Sequence, residues 1–175
     1  YPKIVTTLGL YPIACGPAFL ESYNKIIYSR IAAKRAKRLT ESNGKKIVIN
    51  GAGGKFSDFW SILYSPDLTI QMTVTGQLAL LLLIEILELS GIEVISANTD
   101  GIVKIVPKDK EEILKQCIAY WEQQTGFETE QTRYNSYYAR DVNGYFAVKN
   151  EGGVKKKGSW SEVGSQSGTK LDTNP

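Results

Sequence analysis

The sequence contains no histidine. That removes Ser-His and Cys-His nucleophile pairs and every imidazole metal site. Any chemistry here must run on carboxylates, basic groups, tyrosine and bound metal. Cysteine is scarce as well. Cys15 and Cys117 are too few for a disulfide framework or a zinc site, which points to a reducing compartment. No stretch resembles a secretory signal. The apolar segment 78–89 is shorter than a bilayer span and carries Glu85 and Glu88, so no membrane partner is expected. Internal repeats and low-complexity tracts are missing. The chain begins with Tyr1 rather than Met and ends in a polar stretch, 165–175, without fold signal. It reads as a fragment cut at both ends, or as a processed mature chain.

What is present can build a core: 175 residues, 42% of them hydrophobic, suit one domain or two packed subdomains. Net charge is only +3, but it is unevenly placed. Lys34, Arg35, Lys37, Arg38, Lys45 and Lys46 form one cluster, and Lys155, Lys156 and Lys157 another. Clusters of this kind suit phosphate partners, or they are simply solvated faces.

Hydrophobic spacing organises the chain. Residues 1–16 are mixed, with Pro2 and Pro12 limiting helix. From Pro17, Phe19, Tyr23, Ile26, Ile27 and Ile31 recur at helical spacing to about Leu39. Residues 40–44 read as a tight connection, and a second helix follows from about Lys45, weakened by Gly51, Gly53 and Gly54. The two helices should pair antiparallel. Residues 67–75 look like a strand leading to a helix with Thr75 as its N-cap and Gly91 as its stop. Residues 78–89 are apolar nearly all round, which predicts a buried helix. Residues 108–125 form another, with Ile113, Leu114, Cys117, Ile118 and Trp121 inward and Gly126 at its end. Short strands follow, turned at Asp141-Val142-Asn143-Gly144 and Asn150-Glu151-Gly152-Gly153.

Two groups of residues could carry chemistry. Asn98-Thr99-Asp100-Gly101 lies between the apolar runs 92–97 and 102–106, the pattern of a β-hairpin with Asp100 at its tip. A carboxylate there can hold a hard divalent ion, or it is ordinary turn chemistry. Arg30 and Lys34 share one helix face, and Lys46 and Asn50 share another. If those faces converge, three cations and an amide make a triphosphate cradle; otherwise they are solvated helix surface.

Read in order, these segments resemble family B DNA polymerases. Lys46-Ile47-Val48-Ile49-Asn50-Gly51-Ala52-Gly53-Gly54 is similar to the fingers motif K-x-x-x-N-S-x-Y-G. Gly51 replaces the Ser, as in phage-like members, and Gly53 replaces the Tyr. Asn98-Thr99-Asp100-Gly101 resembles the D-T-D-S metal motif, with Asn98 in place of its first Asp. Tyr1-Pro2 resembles the end of D-x-x-S-x-Y-P, whose Asp would then lie upstream of Tyr1. Lys155-Lys156-Lys157-Gly158 resembles the basic palm motif.

The resemblance implies an α+β fold: a polymerase palm, an antiparallel sheet backed by helices, with a short helical-hairpin fingers subdomain. The expected division is 1–16 for the end of the first palm motif, 17–55 for the fingers, 56–160 for the palm and 161–175 for a tail. It implies DNA-directed nucleotidyl transfer from dNTP to a primer 3′-hydroxyl, using two Mg²⁺ ions with Mn²⁺ as an alternative. Asp100 would bind metal, and Lys46 would assist catalysis. Arg30, Lys34, Lys46 and Asn50 would bind the triphosphate, with Tyr1 as the steric gate against a 2′-hydroxyl. Lys155, Lys156 and Lys157 would contact primer–template phosphates. The implied setting is viral or phage replication in a host cytoplasm, with further polymerase domains as partners. With the upstream Asp missing, the chain alone is expected to bind DNA in a salt-dependent way without extending a primer. Two other readings remain open: a catalytically decayed nucleic-acid-binding relative, and an RNA-specific palm polymerase.

Overall fold

The computed structural model describes residues 2–160; Tyr1 and residues 161–175 lie outside the described residues. The fold is α+β, with four α-helices first, then two strands, a fifth helix and three more strands. Helix α1 spans Pro2–Thr7, α2 Ala18–Arg35, α3 Leu39–Lys55 and α4 Pro66–Leu89. Strands β1 (Glu93–Asn98) and β2 (Gly101–Ile105) precede α5 (Glu111–Thr125). Strands β3 (Tyr134–Ala139), β4 (Tyr145–Lys149) and β5 (Val154–Lys157) follow, and a short 3-10 turn, Gly158–Trp160, ends the described chain. Among the described residues the strands form two antiparallel sheets, β1-β2 and β3-β4-β5, rather than one continuous sheet.

Several sequence expectations change. Residues 2–7 are helical despite Pro2, because a proline in the first helical position gives up an N–H that has no helical partner anyway. The α2–α3 connection lies at Ala36, Lys37 and Arg38, not at residues 40–44. Lys37 takes a left-handed φ of 56° to make the turn. Thr40 to Gly44 are the first turns of α3, where Arg38 pairs with Glu41 at 2.7 Å and Lys45 pairs with Glu41 on the same side. Residues 67–75 are not a strand. Pro66 starts α4 at its first turn, and Leu68 is buried against the α1–α3 cluster. Tertiary packing overrides the β-branched composition of this segment.

Helix α4 is also not buried all round. Leu83 and Leu87 face the core, while Leu78 is 60% exposed and Leu81 58%. Because it starts at Pro66 it has 24 residues, and by length and composition alone it could cross a membrane. Ile113, expected inside, is partly exposed; Leu114, Cys117, Ile118 and Trp121 are buried as their spacing requires.

Two hydrophobic clusters organise the molecule. One joins Val5 of α1, Tyr23 of α2, Ile49 of α3, Leu68 of α4 and Phe56, with Phe19 stacked on Tyr23 at 5.1 Å. The other joins Leu83 and Leu87 of α4, Ile92, and Leu114, Cys117, Ile118 and Trp121 of α5, with Val94 and Ile102 packed against it. The second cluster fixes the β1-β2 hairpin. Glu88 of α4 accepts a hydrogen bond from the Val94 N–H at 2.6 Å, and Lys110 donates to the carbonyls of Ser90 and Gly91 where α4 ends. Gly126, at φ 67°, closes α5 in the left-handed conformation.

Candidate active site

Asp100 stands at the tip of the β1-β2 hairpin. Asn98 pairs with Gly101, and Thr99 and Asp100 form the two-residue turn, with Thr99 at a left-handed φ of 50°. The side chain is exposed. It opens on a cleft of about 370 Å³ whose other walls include Lys3 of α1, Trp121 of α5, Phe127 and Glu128. The cleft thus brings the hairpin tip beside the residues that directly follow Tyr1-Pro2. Tyr1 itself lies outside the described residues.

Glu128 and Lys3 also line this cleft, and the sequence singles out neither. Lys3 Nζ lies 3.7 Å from Glu128 Oε1, and both side chains are exposed, so this is a screened surface pair. Glu128 is carried by a fixed segment. Glu122 of α5 accepts from both the backbone N–H and the hydroxyl of Thr129, at 2.7 and 2.8 Å. No local pattern predicts this, because the cleft walls come from four separate stretches of chain. Among the described residues no group of three or more acidic or cysteine side chains clusters as a metal site. The carboxylates among the residues lining the cleft are Asp100 and Glu128, the donor type a hard cation prefers.

Helices α2 and α3 pair antiparallel. The Tyr23 hydroxyl donates to the Ile49 carbonyl at 3.1 Å, and Lys45 donates to the Ser29 hydroxyl. Burial raises the Tyr23 phenol from its ordinary 10.0 to about 12. This register sets Arg30 of α2 within one helical turn of the level of Lys46 on α3. Lys34 and Asn50 lie toward opposite ends of the pair, ~15 Å apart along its axis by the helical rise. Lys34, Lys46 and Asn50 are exposed. Arg30 is half-buried, and its Nε has no hydrogen-bond partner. Lys45, in the sequence one member of the basic cluster rather than of the triphosphate cradle, bridges the two helices through Ser29. Its bond to Glu41 holds that carboxylate below its usual range.

Lys155, Lys156 and Lys157 form most of β5, an exposed strand. Strand alternation divides them. Lys156 pairs with Phe146 and shares its face, together with Tyr138, which stacks on Phe146 at 4.6 Å. Lys155 lies on the other face, its ammonium 6.0 Å from the centre of the Tyr145 ring. Partial burial pulls the Lys155 ammonium down, but hydrogen bonding and charge interaction with Tyr145 and Tyr134 outweigh it and raise it overall.

No family model and no curated protein matches the chain in sequence. In three dimensions the chain is similar to the family B DNA polymerase from the hyperthermophilic archaeon Pyrobaculum calidifontis. The TM-score is 0.63 and the sequence identity 17%, over 90% of this chain. The match covers 26% of that polymerase, so this chain spans about a quarter of its length. At that identity the likeness concerns the fold: the described helices and two small sheets build a fold like that of part of a family B DNA polymerase.

Proposed function

We propose that this chain is the palm and fingers part of a phage-like family B DNA polymerase, acting in template-directed nucleotidyl transfer. The observation that carries the reading is the position of Asp100. A fold like that of a family B polymerase puts a lone hairpin-tip carboxylate into a cleft shared with the segment following Tyr1-Pro2. The K-x-x-x-N-G pattern from Lys46 to Gly51 favours the phage-like branch and, with it, replication in a host cytoplasm.

Asp100, with Glu128 across the cleft, supplies the kind of oxygen ligands that Mg²⁺ accepts while keeping several waters. When bound, a pair of Mg²⁺ ions would lower the pKa of the primer 3′-hydroxyl and neutralise charge on the triphosphate and the leaving pyrophosphate. The chain's own groups bind and orient. Arg30 and Lys46 offer cations at neighbouring levels of the α2–α3 pair, Lys34 adds one nearer the connection, and Asn50 adds an amide one turn along α3 from Lys46. Tyr1 screens the incoming sugar. Lys155, Lys156 and Lys157 hold primer–template DNA by its phosphates without reading sequence.

The test is primer extension with Mg²⁺ by the full-length protein. Asp100→Asn keeps the shape of the side chain and removes the anionic oxygen. Incorporation should fall at least ~10³-fold, with DNA affinity nearly unchanged. Near-normal turnover would remove the metal role. Lys46→Ala should raise the dNTP KM while leaving DNA binding in place. Equal loss of both, or of neither, would reject the fingers assignment.

A further inference from the structure

Asn98 ends β1 at the base of the turn that carries Asp100, and its side chain reaches the turn between β3 and β4. Its Nδ2 donates to Asn143 Oδ1 at 3.0 Å and to the Val142 carbonyl at 3.5 Å. Its Oδ1 accepts from the Thr99 hydroxyl at 2.8 Å. Donor and acceptor ends of this amide are therefore both engaged. The bonds reach across from the two-stranded sheet to the turn between β3 and β4 in the other sheet.

That receiving turn is itself well fixed. Asp141 Oδ1 accepts from the N–H groups of Asn143 and Gly144, at 2.8 and 2.6 Å. The Arg140 N–H donates to the Gly144 carbonyl at 2.9 Å. The same turn also receives the end of the lysine strand. Gly158 directly follows Lys157, and a Cβ placed there would lie 2.5 Å from the Asn143 carbonyl oxygen and 2.9 Å from the Gly144 Cα. Only glycine fits so close an approach. One turn thus touches the Asp100 hairpin through Asn98 and the Lys155, Lys156 and Lys157 strand through Gly158.

We infer that Asn98 is a positioning residue: it clasps the Asp100 hairpin to the Asp141-Val142-Asn143-Gly144 turn, and so sets the metal-binding carboxylate relative to the strand that holds the primer. The clasp rests on the polymerase reading for its functional meaning and on the two hydrogen bonds for its existence. It also explains why an amide stands here. A carboxylate at position 98 has no hydrogen to give the Val142 carbonyl. Even if Asn143 turned its own amide to donate, an anion would then face that carbonyl oxygen. In this geometry Asn98 acts through Asp100: its amide is engaged by Asn143, Val142 and Thr99, which makes it a positioning group.

The test uses Asn98→Ala, Asn143→Ala and the double variant in the full-length protein. Each single variant should lower kcat roughly 10- to 100-fold, as small displacements of catalytic groups do. Any change in the Mg²⁺ concentration giving half-maximal rate should be the same in both single variants, because both loosen the same hairpin. The double variant should be no worse than the poorer single one, since both remove the same contact. A shifted Mg²⁺ midpoint in Asn98→Ala alone would make Asn98 a ligand and overturn the clasp; additive losses would overturn it too. Amide exchange of Asn98 to Gly101 separates this from the polymerase reading. If the protein shows no incorporation at all, that reading fails. The clasp then stands or falls on whether Asn143→Ala speeds exchange in the Asp100 turn at least several-fold.

Discussion

Helices α3 and α5 are similar in length, 17 and 15 residues, and differ in what they bury. Helix α5 sinks Leu114, Cys117, Ile118 and Trp121 into the core, while α3 buries only Ser42 and Ile49. Helix α3 also carries Gly44, Gly51, Gly53 and Gly54, each of which weakens a helix interior. The pair α2–α3 is joined by Tyr23 on Ile49, Lys45 on Ser29 and the cluster around Phe56, where Phe19, Leu20, Ile26, Ile27 and Ala52 are only partly buried. The α4–α5 unit under the β1-β2 hairpin is held by continuous packing. The contrast matches the division of labour in the proposed function. Metal-binding carboxylates need a fixed platform, whereas residues that gather a triphosphate work on an element able to shift at low cost.

The strongest way to break the comparison is at Trp121. Its ring is buried, its Nε1 donates to the Ala79 carbonyl at 2.7 Å, and it walls the Asp100 cleft. Trp121→Ala should cost about 3–5 kcal/mol in urea unfolding, from lost packing and the cavity left behind. Loss of 1 kcal/mol or less would mean that the hairpin platform is no more tightly built than the helical pair.

The two regions were also unequally legible in the sequence. The platform's signals are local. Helix α5 has period-3.6 apolar positions and a terminal glycine, and Asn98 to Gly101 has turn residues between β-branched runs. The helical pair misled because its signals are weak. Ser42, Asn43 and Gly44 have the composition of a turn, yet Ser42 is buried inside α3 and ion pairs along Arg38, Glu41 and Lys45 hold the helix start. The true connection has no glycine, and Lys37 takes the left-handed conformation instead. Thr69, Ile70, Thr73, Val74 and Thr75 look like a strand until Pro66 and buried Leu68 start a helix. Of the candidate site, the place of Asp100 at a hairpin tip was readable because its turn is contiguous. Lys3, Glu128 and the Asn143 partner of Asn98 were not, since only tertiary structure brings them to the hairpin.

A middle-sized effect separates the helical pair by pH. Tyr23→Phe removes the hydrogen bond to the Ile49 carbonyl and should cost about 1 kcal/mol near neutrality. Burial raises the Tyr23 phenol from 10.0 to about 12, so the folded state keeps its proton where the unfolded chain has lost it. Its contribution is complete below pH 10.0 and is lost as pH rises toward about 12. Tyr23→Phe should therefore flatten the alkaline fall in stability across that window relative to the unsubstituted protein. An unchanged slope would show that the phenol is not held neutral by the α2–α3 packing.

The smallest effect has the opposite sign. Gly51 lies inside α3, and a Cβ there would meet nothing within 4 Å. Gly51→Ala therefore adds helix propensity without a clash, and should stabilise α3 by up to about 1 kcal/mol. The gain should be local. Amide exchange should slow in α2 and α3 and stay unchanged in β1 and β2, because separate clusters hold the two regions. The substitution also sits beside Asn50, on the helix that carries Lys46. If α3 has to shift to gather a triphosphate, a stiffer α3 should lower the incorporation rate at saturating dNTP even as the fold gains stability. Slower exchange across both regions alike would mean that they unfold as one unit. The contrast between a loose helical pair and a tight hairpin platform would then be one of composition and not of dynamics.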